Sequence, residues 1–312
     1  MAISPDQSGL ADVNAAGGAR NLEGALWMAA SGAVFTAFLT LSKLQSAHYD
    51  PGFLAFFRSF IALVLTVPVI LQQGFGVLRI HQPGLVLLRS LFGTMGFIFG
   101  FYAVSAQFGL PLSEFNAISF SRAMFITVLA SFLLKEQVGW HRWAATLAGL
   151  AGVLIMTQPQ AGLSLGTLLA LAAAFCMAGA ITLVKALSRR HKPVTLLIWA
   201  NFLSSLMLLP LVIWKWPDVM PSLQDWALIA LMGGCGVAGQ YFYIRGMAIG
   251  DASFLSPIDY LRLPMAAGVD WLLFHSLPGP WTWLGTAIII SATAYITLRE
   301  QQLRRRRLRG TG

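Results

Sequence analysis

The sequence predicts an all-α membrane protein in which ten transmembrane helices form two inverted five-helix repeats. Hydrophobic residues make up 57% of the chain and charged residues 11%, whereas soluble domains carry about 25% charged residues. The apolar residues lie in runs of roughly 20, the length of helix that crosses about 30 Å of hydrocarbon. A soluble protein with a large core would not need runs of this length. Because a backbone in lipid must satisfy its own hydrogen bonds, the runs indicate helices.

The spans follow one another with short connections, so neighbours along the chain should be antiparallel. We place them at residues 23–44, 53–73, 84–106, 111–134, 139–157, 163–187, 194–214, 225–249, 252–274 and 280–298. The small, polar residues of segment 1–22 predict a disordered tail, and segment 299–312 is a basic tail. The first run is long enough to span and nine more follow it, so we expect it to remain as a helix rather than be cleaved as a signal.

The positive charges are distributed unevenly between the two sides of the predicted bundle. Ten spans place both termini on one side, and that side holds 16 of the 21 Lys and Arg residues. The opposite side holds Lys43 and Lys215, and three arginines lie within spans. The positive-inside rule therefore predicts cytoplasmic termini in a bacterial inner membrane. The run from Arg304 to Arg307 is interpreted as a contact to anionic lipid rather than to nucleic acid.

The two halves of the chain repeat the same residues in the same order. Lys43, Pro51 and Pro68 recur 142 residues later as Lys185, Pro193 and Pro210, Tyr102 recurs as Tyr243 after 141, and Arg122 recurs as Arg262 after 140. The repeats occupy residues 23–157 and 163–298. Because each holds five spans, an odd number, the second copy is inverted relative to the first. Many secondary transporters have inverted repeats with a substrate site near the membrane midplane, although some channels share this architecture.

One segment carries a recognisable pattern. The stretch LPLSEFNAISFSRAMFITVLASFLLKEQVGWHRWAATLAGLAGVLIM, residues 110–156, resembles the EamA domain of the drug/metabolite transporter superfamily, whose fourth helix is followed by a Glu-containing turn, here Glu136, and a glycine-rich helix. In the second half the Glu position holds Ser276, a departure from the pattern. The resemblance covers residues 23–298. It implies ten helices, cytoplasmic termini and a central cavity, and among family members the chain looks most like bacterial exporters of amino acids, the aromatic ones included.

Three charged residues at membrane depth are the first candidates for substrate binding. Charges buried in a membrane are costly and usually face a cavity or a partner. Arg122 and Arg262 lie at the centres of spans four and nine, and a planar guanidinium suits a carboxylate group. Asp259, three residues before Arg262, could bind an ammonium group or carry a proton. Alternatively, it only neutralises Arg262 in a structural ion pair.

Further polar and aromatic residues extend the candidate site. Glu114, with Asn116 and Ser119 on the same stretch, is expected to line the outer part of the pathway. Four residues are candidates for a cavity wall that stacks on an aromatic substrate: Trp199, Tyr102, Tyr243 and Gln240. Three more are candidates for hinges or gates: Pro257, Pro264 and Arg58. Arg58 is expected to extend to the outer interface or to face the cavity mouth, and Asp270 is expected near the outer interface.

The sequence contains no pattern typical of an enzyme. No Ser/His/Asp set, phosphate-binding loop or metal-spaced His/Cys cluster occurs, and Cys176 and Cys235 lie in apolar runs. We therefore expect no cofactor, no metal and no nucleic-acid partner, but a small-molecule substrate, membrane lipid, and a monomer or weak homodimer. The predicted function is secondary active or facilitative export of amino acids and related metabolites by alternating access. The alternatives are a carrier of a nucleotide sugar or cofactor, and a membrane channel or scaffold.

Overall fold

The computed structural model describes residues 7–133, 140–157, 164–188, 190–249, 255–276 and 278–309, which are helical apart from short connections. The α-helices are α1 Gln7–Gln45, α2 Pro51–Gln73, α3 Pro83–Val104, α4 Leu112–Phe120, α5 Arg122–Leu133, α6 Trp140–Thr157, α7 Leu165–Leu187, α8 Pro193–Trp214, α9 Leu223–Ile249, α10 Arg262–Phe274 and α11 Pro280–Arg309. Two 3₁₀ segments cover Phe75–Leu78 and Ser256–Leu261.

These helices make ten crossings. In the part of the chain that the structure describes, six helices are long and apolar enough to span a membrane alone: α1 from Leu22, α2, α3, α7, α8 and α9. The fourth crossing consists of α4 and α5 in direct succession, and the ninth consists of the second 3₁₀ segment followed by α10. Helices α6 and α11 make the fifth and tenth. The predicted fold class is confirmed.

Prolines begin several of the helices. Pro51, Pro83, Pro193 and Pro280 are the first residues of α2, α3, α8 and α11. Proline is tolerated there because the first N–H groups of a helix have no partner within it. At α2 the carboxylate of Asp50 also accepts the backbone N–H two residues on at 2.8 Å. The start of each of these helices is thus fixed by local chemistry.

The packing of the helices follows the repeat. Equivalent helices of the two repeats make equivalent contacts. Helix α1 packs on α9 and its counterpart α7 packs on α3, while α2 packs on α9 and its counterpart α8 packs on α3. In the same way, α1 packs on α10 and α7 packs on α5. The remaining principal pairs join a helix to its own counterpart: α2 with α8, α4 with α10, and α6 with α11. The two inverted five-helix repeats are therefore interleaved, and the centre of the molecule is an interface between them.

The outward surface of the bundle is apolar, and tryptophans lie at one edge of it. Large side chains such as Leu71, Ile213 and Leu272 are more than half exposed, which lipid tolerates because its tails are equally apolar. We call the side that holds both chain ends the terminal face and the opposite side the far face. Exposed tryptophans lie at helix ends on the far face: Trp214, Trp216, Trp271, Trp281 and Trp283. Their amphipathic rings suit a membrane interface.

The first and last helices extend into the two tails. Helix α1 begins at Gln7, so most of the segment predicted to be disordered is helical. Its four alanines between residues 11 and 19 favour a helix over the small polar residues around them. Helix α11 likewise continues to Arg309. At 30 residues it is about 45 Å long, so its basic end extends beyond the hydrocarbon.

Candidate functional site

The fourth and ninth crossings are both interrupted at their midpoints. Ser121, between α4 and α5, donates its N–H to the carbonyl three residues back and accepts the N–H three residues on, each at 2.9 Å. The ninth crossing passes from the 3₁₀ segment into α10 at Arg262. Each repeat-related arginine thus begins a helix in the middle of the bundle. Short 3₁₀ turns inside helices often mark hinges.

The two prolines predicted as hinges have different positions in the ninth crossing. Pro257 lies within the 3₁₀ segment, where the helix is already tightened. Pro264 is the third residue of α10. In the first turn of a helix the missing N–H of proline costs little, so the structure gives Pro264 no kink to form. The interruption at Ser121 has no proline, and the sequence analysis did not predict it.

Three charged side chains meet at these interruptions. Asp259 lies between the arginines: its Oδ1 is 2.9 Å from Arg262 Nε and its Oδ2 is 3.8 Å from Arg122 Nη2. The shorter contact lacks hydrogen-bond alignment, and the longer one exceeds hydrogen-bond distance. We call these residues the midplane triad. Its formal charge is +1, and its arginines keep N–H groups to offer.

Aromatic rings hold Arg262 in place. Its guanidinium carbon lies 4.4 Å from the centre of the Phe35 ring and 5.6 Å from that of Tyr243. Its Nη2 donates to Ser31 Oγ at 3.4 Å. Cation–π contacts of this kind stabilise a charge away from water. The rings therefore orient the guanidinium without using up its donors.

A cavity of about 130 Å³ lies beside the triad. It is bounded by α1, α3, α4, α7 and the two arginines, and it extends from the midplane towards the far face. Its aromatic walls are Phe35, Phe38, Phe97, Phe101 and Phe115. Its polar lining is Arg122, Arg262, Asn116, Ser119 and Ser42. An apolar pocket with a few convergent polar groups is typical of a small-molecule site.

Asn116, Ser119 and Arg122 follow each other at intervals of three residues along the cavity. The tightened turn at Ser121 brings residues three apart onto one line, because i and i+3 side chains eclipse in a 3₁₀ turn. Asn116 donates its Nδ2 to the carbonyl of Leu112 at 3.0 Å. This leaves its Oδ1 as an acceptor in the cavity that Arg122 and Arg262 also line.

A second charged cluster closes the far face above the cavity. Asp270 is fully buried, and its carboxylate accepts the N–H groups of Leu112 and Ser113 at 3.0 and 2.8 Å and the Ser113 hydroxyl at 2.6 Å. Lys43 Nζ lies 4.0 Å from Asp270 Oδ1 and donates to the Leu110 carbonyl at 3.2 Å. We call Lys43, Asp270 and Ser113 the far-face cluster. It joins α1, α4 and α10, and places a negative charge at the N-terminus of α4, where the helix dipole favours it.

Comparison with known proteins identifies the family. The EamA-like transporter family matches residues 22–158 and again residues 164–298. The chain belongs to this family. A protein of known crystal structure superposes with a TM-score of 0.57 at 22% identity, covering 88% of this chain and 98% of that chain, which supports the same fold.

Several named transporters are similar along nearly their whole length. A riboflavin transporter of Vibrio cholerae is 31% identical, over 91% of this chain and 96% of the relative. An S-adenosylmethionine uptake transporter of Rickettsia prowazekii is 26% identical, over 90% and 94%. A pseudopaline exporter of Pseudomonas aeruginosa is 25% identical, over 83% and 90%. The chain is therefore a multi-pass membrane transporter of small metabolites and not an enzyme.

Several predicted site residues of this EamA-like transporter lie elsewhere. Among the described residues, the cavity lining does not include Glu114, Trp199, Tyr102, Tyr243, Gln240 or Asp259. Trp199 donates its indole N–H to the carbonyl of Leu78 at 2.8 Å, near the terminal face. Tyr102 donates to Asp50 at 2.9 Å, on the far face. Glu114 accepts the Thr282 hydroxyl at 3.2 Å. The Tyr243 ring contacts the guanidinium group of Arg262 at 5.6 Å without lining the cavity.

Arg58 and Asp270, expected at or near the outer interface, are both buried, although Asp270 does lie at the far face. Arg58 is 8% exposed, and its guanidinium lies 3.6 Å from the centre of the Phe97 ring. It therefore packs behind the aromatic cavity wall rather than extending to the interface or the cavity mouth. Asp270 is 0% exposed, because it accepts the first N–H groups of α4.

The phenylalanine walls and the far-face cluster were not predicted from the sequence. Phe35 and Phe38 are three residues apart and Phe97 and Phe101 four apart, spacings that place each pair on one helix face. Such pairs are common in membrane helices, so the pattern alone does not indicate a cavity. In the sequence, Lys43 stood out only as a repeat partner of Lys185 and as one of two basic residues on the far side. A lysine and an aspartate at opposite ends of the sequence show no sign of pairing until the chain is folded.

Proposed function

We propose that this transporter carries a flavin, with riboflavin as the first candidate, by alternating access across the bacterial inner membrane. The observation that carries the proposal is the central cavity, in which five phenylalanine rings face two arginines between the repeats. The similarity to a riboflavin transporter along 91% of the chain supports the substrate class. A flavin combines a broad aromatic ring system with carbonyl and hydroxyl groups, which suits this mixture of walls.

The aromatic walls favour a planar substrate. Phe35 and Phe38 project from α1, Phe97 and Phe101 from α3, and Phe115 from α4. Offset or edge-on contacts between aromatic rings contribute about 0.5–1.5 kcal/mol beyond the burial of area. A three-ring flavin can make several such contacts at once when the cavity, about 130 Å³ in this state, widens during alternating access towards the roughly 300–1,000 Å³ of typical ligand sites. A small aliphatic substrate could not use most of this surface.

The charge of the midplane triad argues against a cationic substrate. Two arginines and one aspartate give a formal charge of +1 at the inner end of the cavity. S-adenosylmethionine carries a positively charged sulfonium group, which this charge would repel at low dielectric. Riboflavin is neutral and presents carbonyl oxygens that accept hydrogen bonds. The triad therefore supports a neutral or anionic ligand.

Both termini are proposed to lie in the cytoplasm, with the far face outside. The support is the charge distribution, with 16 Lys and Arg residues on the terminal side and two on the far side. Maleimide labelling of a cysteine placed at Lys215 is expected from outside intact cells, and labelling of one placed at Arg309 only after lysis. The opposite pattern would reverse the topology. A monomer or weak homodimer stays the expected assembly.

Export of aromatic amino acids is the second candidate. Its favouring observation is that two guanidinium groups face one aromatic pocket, because a carboxylate pairs well with such a fork of donors. The amino acid's ammonium group would then need Asp259. That carboxylate already contacts both arginines, so this candidate uses the site less completely than a flavin does.

Counterflow in proteoliposomes tests the proposal. The purified full chain is reconstituted, preloaded with unlabelled ligand and assayed with labelled riboflavin, tryptophan or S-adenosylmethionine. We expect saturable riboflavin uptake that preloaded riboflavin accelerates. Arg262→Ala should strongly reduce this uptake, while Arg245→Ala, which changes an exposed arginine on α9, should not.

Three other outcomes of the counterflow assay would change the proposal. Counterflow of tryptophan without riboflavin would replace the first candidate with the second. Riboflavin flux that never saturates would indicate a channel and overturn alternating access. Normal riboflavin transport by Arg262→Ala would remove the midplane triad from the substrate site.

A further inference from the structure

Three polar side chains that line the cavity, Arg122, Arg262 and Asn116, have unused hydrogen-bonding capacity. Arg122 has no contact within hydrogen-bond distance among the described residues, and its side chain is 30% exposed towards the cavity. Arg262 donates one bond of 3.4 Å to Ser31 Oγ, although a guanidinium has five N–H groups. Asn116 is 8% exposed and uses its Nδ2 on α4, which leaves its Oδ1 without a donor among the described side chains.

These three side chains therefore offer two donors and one acceptor in a pocket whose other polar groups are the hydroxyls of Ser42 and Ser119. Buried polar groups that lack partners are costly, so a ligand that satisfies them gains both affinity and orientation. The matching ligand edge needs two acceptors and one donor. Asp259 cannot supply the missing donor, because a carboxylate only accepts, and it faces the arginines rather than the cavity.

We infer that Arg122, Arg262 and Asn116 recognise the imide edge of the flavin, in which one ring N–H stands between two carbonyl groups. The carbonyl oxygens accept from the two guanidinium groups, and the N–H donates to Asn116 Oδ1. The phenylalanine walls hold the rest of the ring system. This inference rests on the proposed function and assigns the substrate's orientation: the pyrimidine ring enters first and the ribityl chain points away from the triad.

A change to the ligand tests the inference without any change to the protein. 3-Methylriboflavin replaces the imide N–H with a methyl group and keeps both carbonyl groups and all three rings. We expect its KM to exceed that of riboflavin by about tenfold or more, because Asn116 Oδ1 loses its donor. Equal KM values for the two flavins would overturn the inference and leave flavin transport intact. Absence of riboflavin transport would instead refute the proposed function.

Two variants of Asn116 assign the contact to one atom. Asn116→Leu removes the acceptor and should transport both flavins with the same KM. Asn116→Asp keeps an acceptor at that position and should still discriminate against the methylated flavin. Size-exclusion elution and melting temperature in detergent check that both variants fold. If Asn116→Leu folds and discriminates as strongly as the wild type, Asn116 is not the acceptor and the assignment fails.

Discussion

The midplane triad and the far-face cluster are both buried groups of opposite charges, but their hydrogen bonding differs. In the cluster, Asp270 accepts three hydrogen bonds of 2.6–3.0 Å from α4. In the triad, Asp259 contacts its arginines at 2.9 Å without alignment and at 3.8 Å. The cluster is satisfied within the protein, whereas the triad has donors left over and a cavity beside it.

This difference separates a structural charge from one available to a ligand. A buried charge stabilises a fold only when its partners satisfy it. The cluster meets that condition and joins α1, α4 and α10 across the far face. The repeat partner of Lys43 is Lys185, but the residue 140 positions before Asp270 is Ala130. The sequence therefore provides this aspartate on the far face and none at the equivalent place on the terminal face.

The largest expected effect tests the cluster. Asp270→Ala leaves Lys43 buried without its carboxylate and removes the acceptor of the first α4 amides, so we expect a loss of about 3–5 kcal/mol in the free energy of unfolding. Unfolding in mixed micelles measures it. Asp218→Ala, at an exposed far-face loop position, is the matched control and should be neutral. Adding Lys43→Met to Asp270→Ala should recover part of the loss. Wild-type stability of Asp270→Ala would mean that the cluster is not structural.

The next effect tests the triad. Arg262→Ala should lower kcat/KM for the transported flavin by about 100-fold, because it removes a charged donor in a desolvated site. Its unfolding free energy should change less than that of Asp270→Ala. Reconstituted transport and micelle unfolding are measured on the same preparations. A variant that unfolds readily but transports normally when folded would erase the distinction between the two regions.

A smaller effect sharpens the account of the cluster. Ser113→Ala removes the 2.6 Å bond from the hydroxyl to Asp270 and keeps the backbone bonds. Hydrogen bonds to charged groups contribute about 1.5–3 kcal/mol, and the loss should lie near the lower end, since two acceptor contacts remain. Ser119→Ala, on the same helix but facing the cavity, serves as the control for stability. Equal stability of the two variants would argue against a stabilising role of the bond from the Ser113 hydroxyl to Asp270.

The smallest effect concerns an aromatic residue outside both regions. Trp199→Phe removes the bond to the Leu78 carbonyl and should cost about 1 kcal/mol of stability with no change in the KM for riboflavin. Melting temperature and transport kinetics check both parts. A large rise in KM would return Trp199 to the substrate site that the sequence suggested.

The repeat pattern made part of the site predictable. Arg122 and Arg262 could be paired because charged residues are rare in apolar spans and these two recur at one offset. Asn116 and Ser119 followed from their spacing on the same span. Trp199 and Tyr102, predicted for the cavity wall, are polar aromatics whose N–H and O–H groups have partners near the ends of the bundle. The cavity is lined by plain phenylalanines instead, which carry no group that must be satisfied.

The sequence by itself determined the ten crossings and their inverted repetition, and prolines at the starts of α2, α3, α8 and α11 set those helix ends locally. Span length, charge and proline chemistry act locally, so they can be read from neighbouring residues. Only the tertiary structure decided that Asp270 caps α4, that Arg58 packs on Phe97, and that the fourth crossing tightens at Ser121. The first two depend on a side chain from another segment of the chain. The third occurs at a serine, with no proline beside it to indicate the interruption. Contacts between residues far apart in the chain, 158 positions for Leu112 and Asp270 and 39 for Arg58 and Phe97, leave no mark on the local pattern of either one.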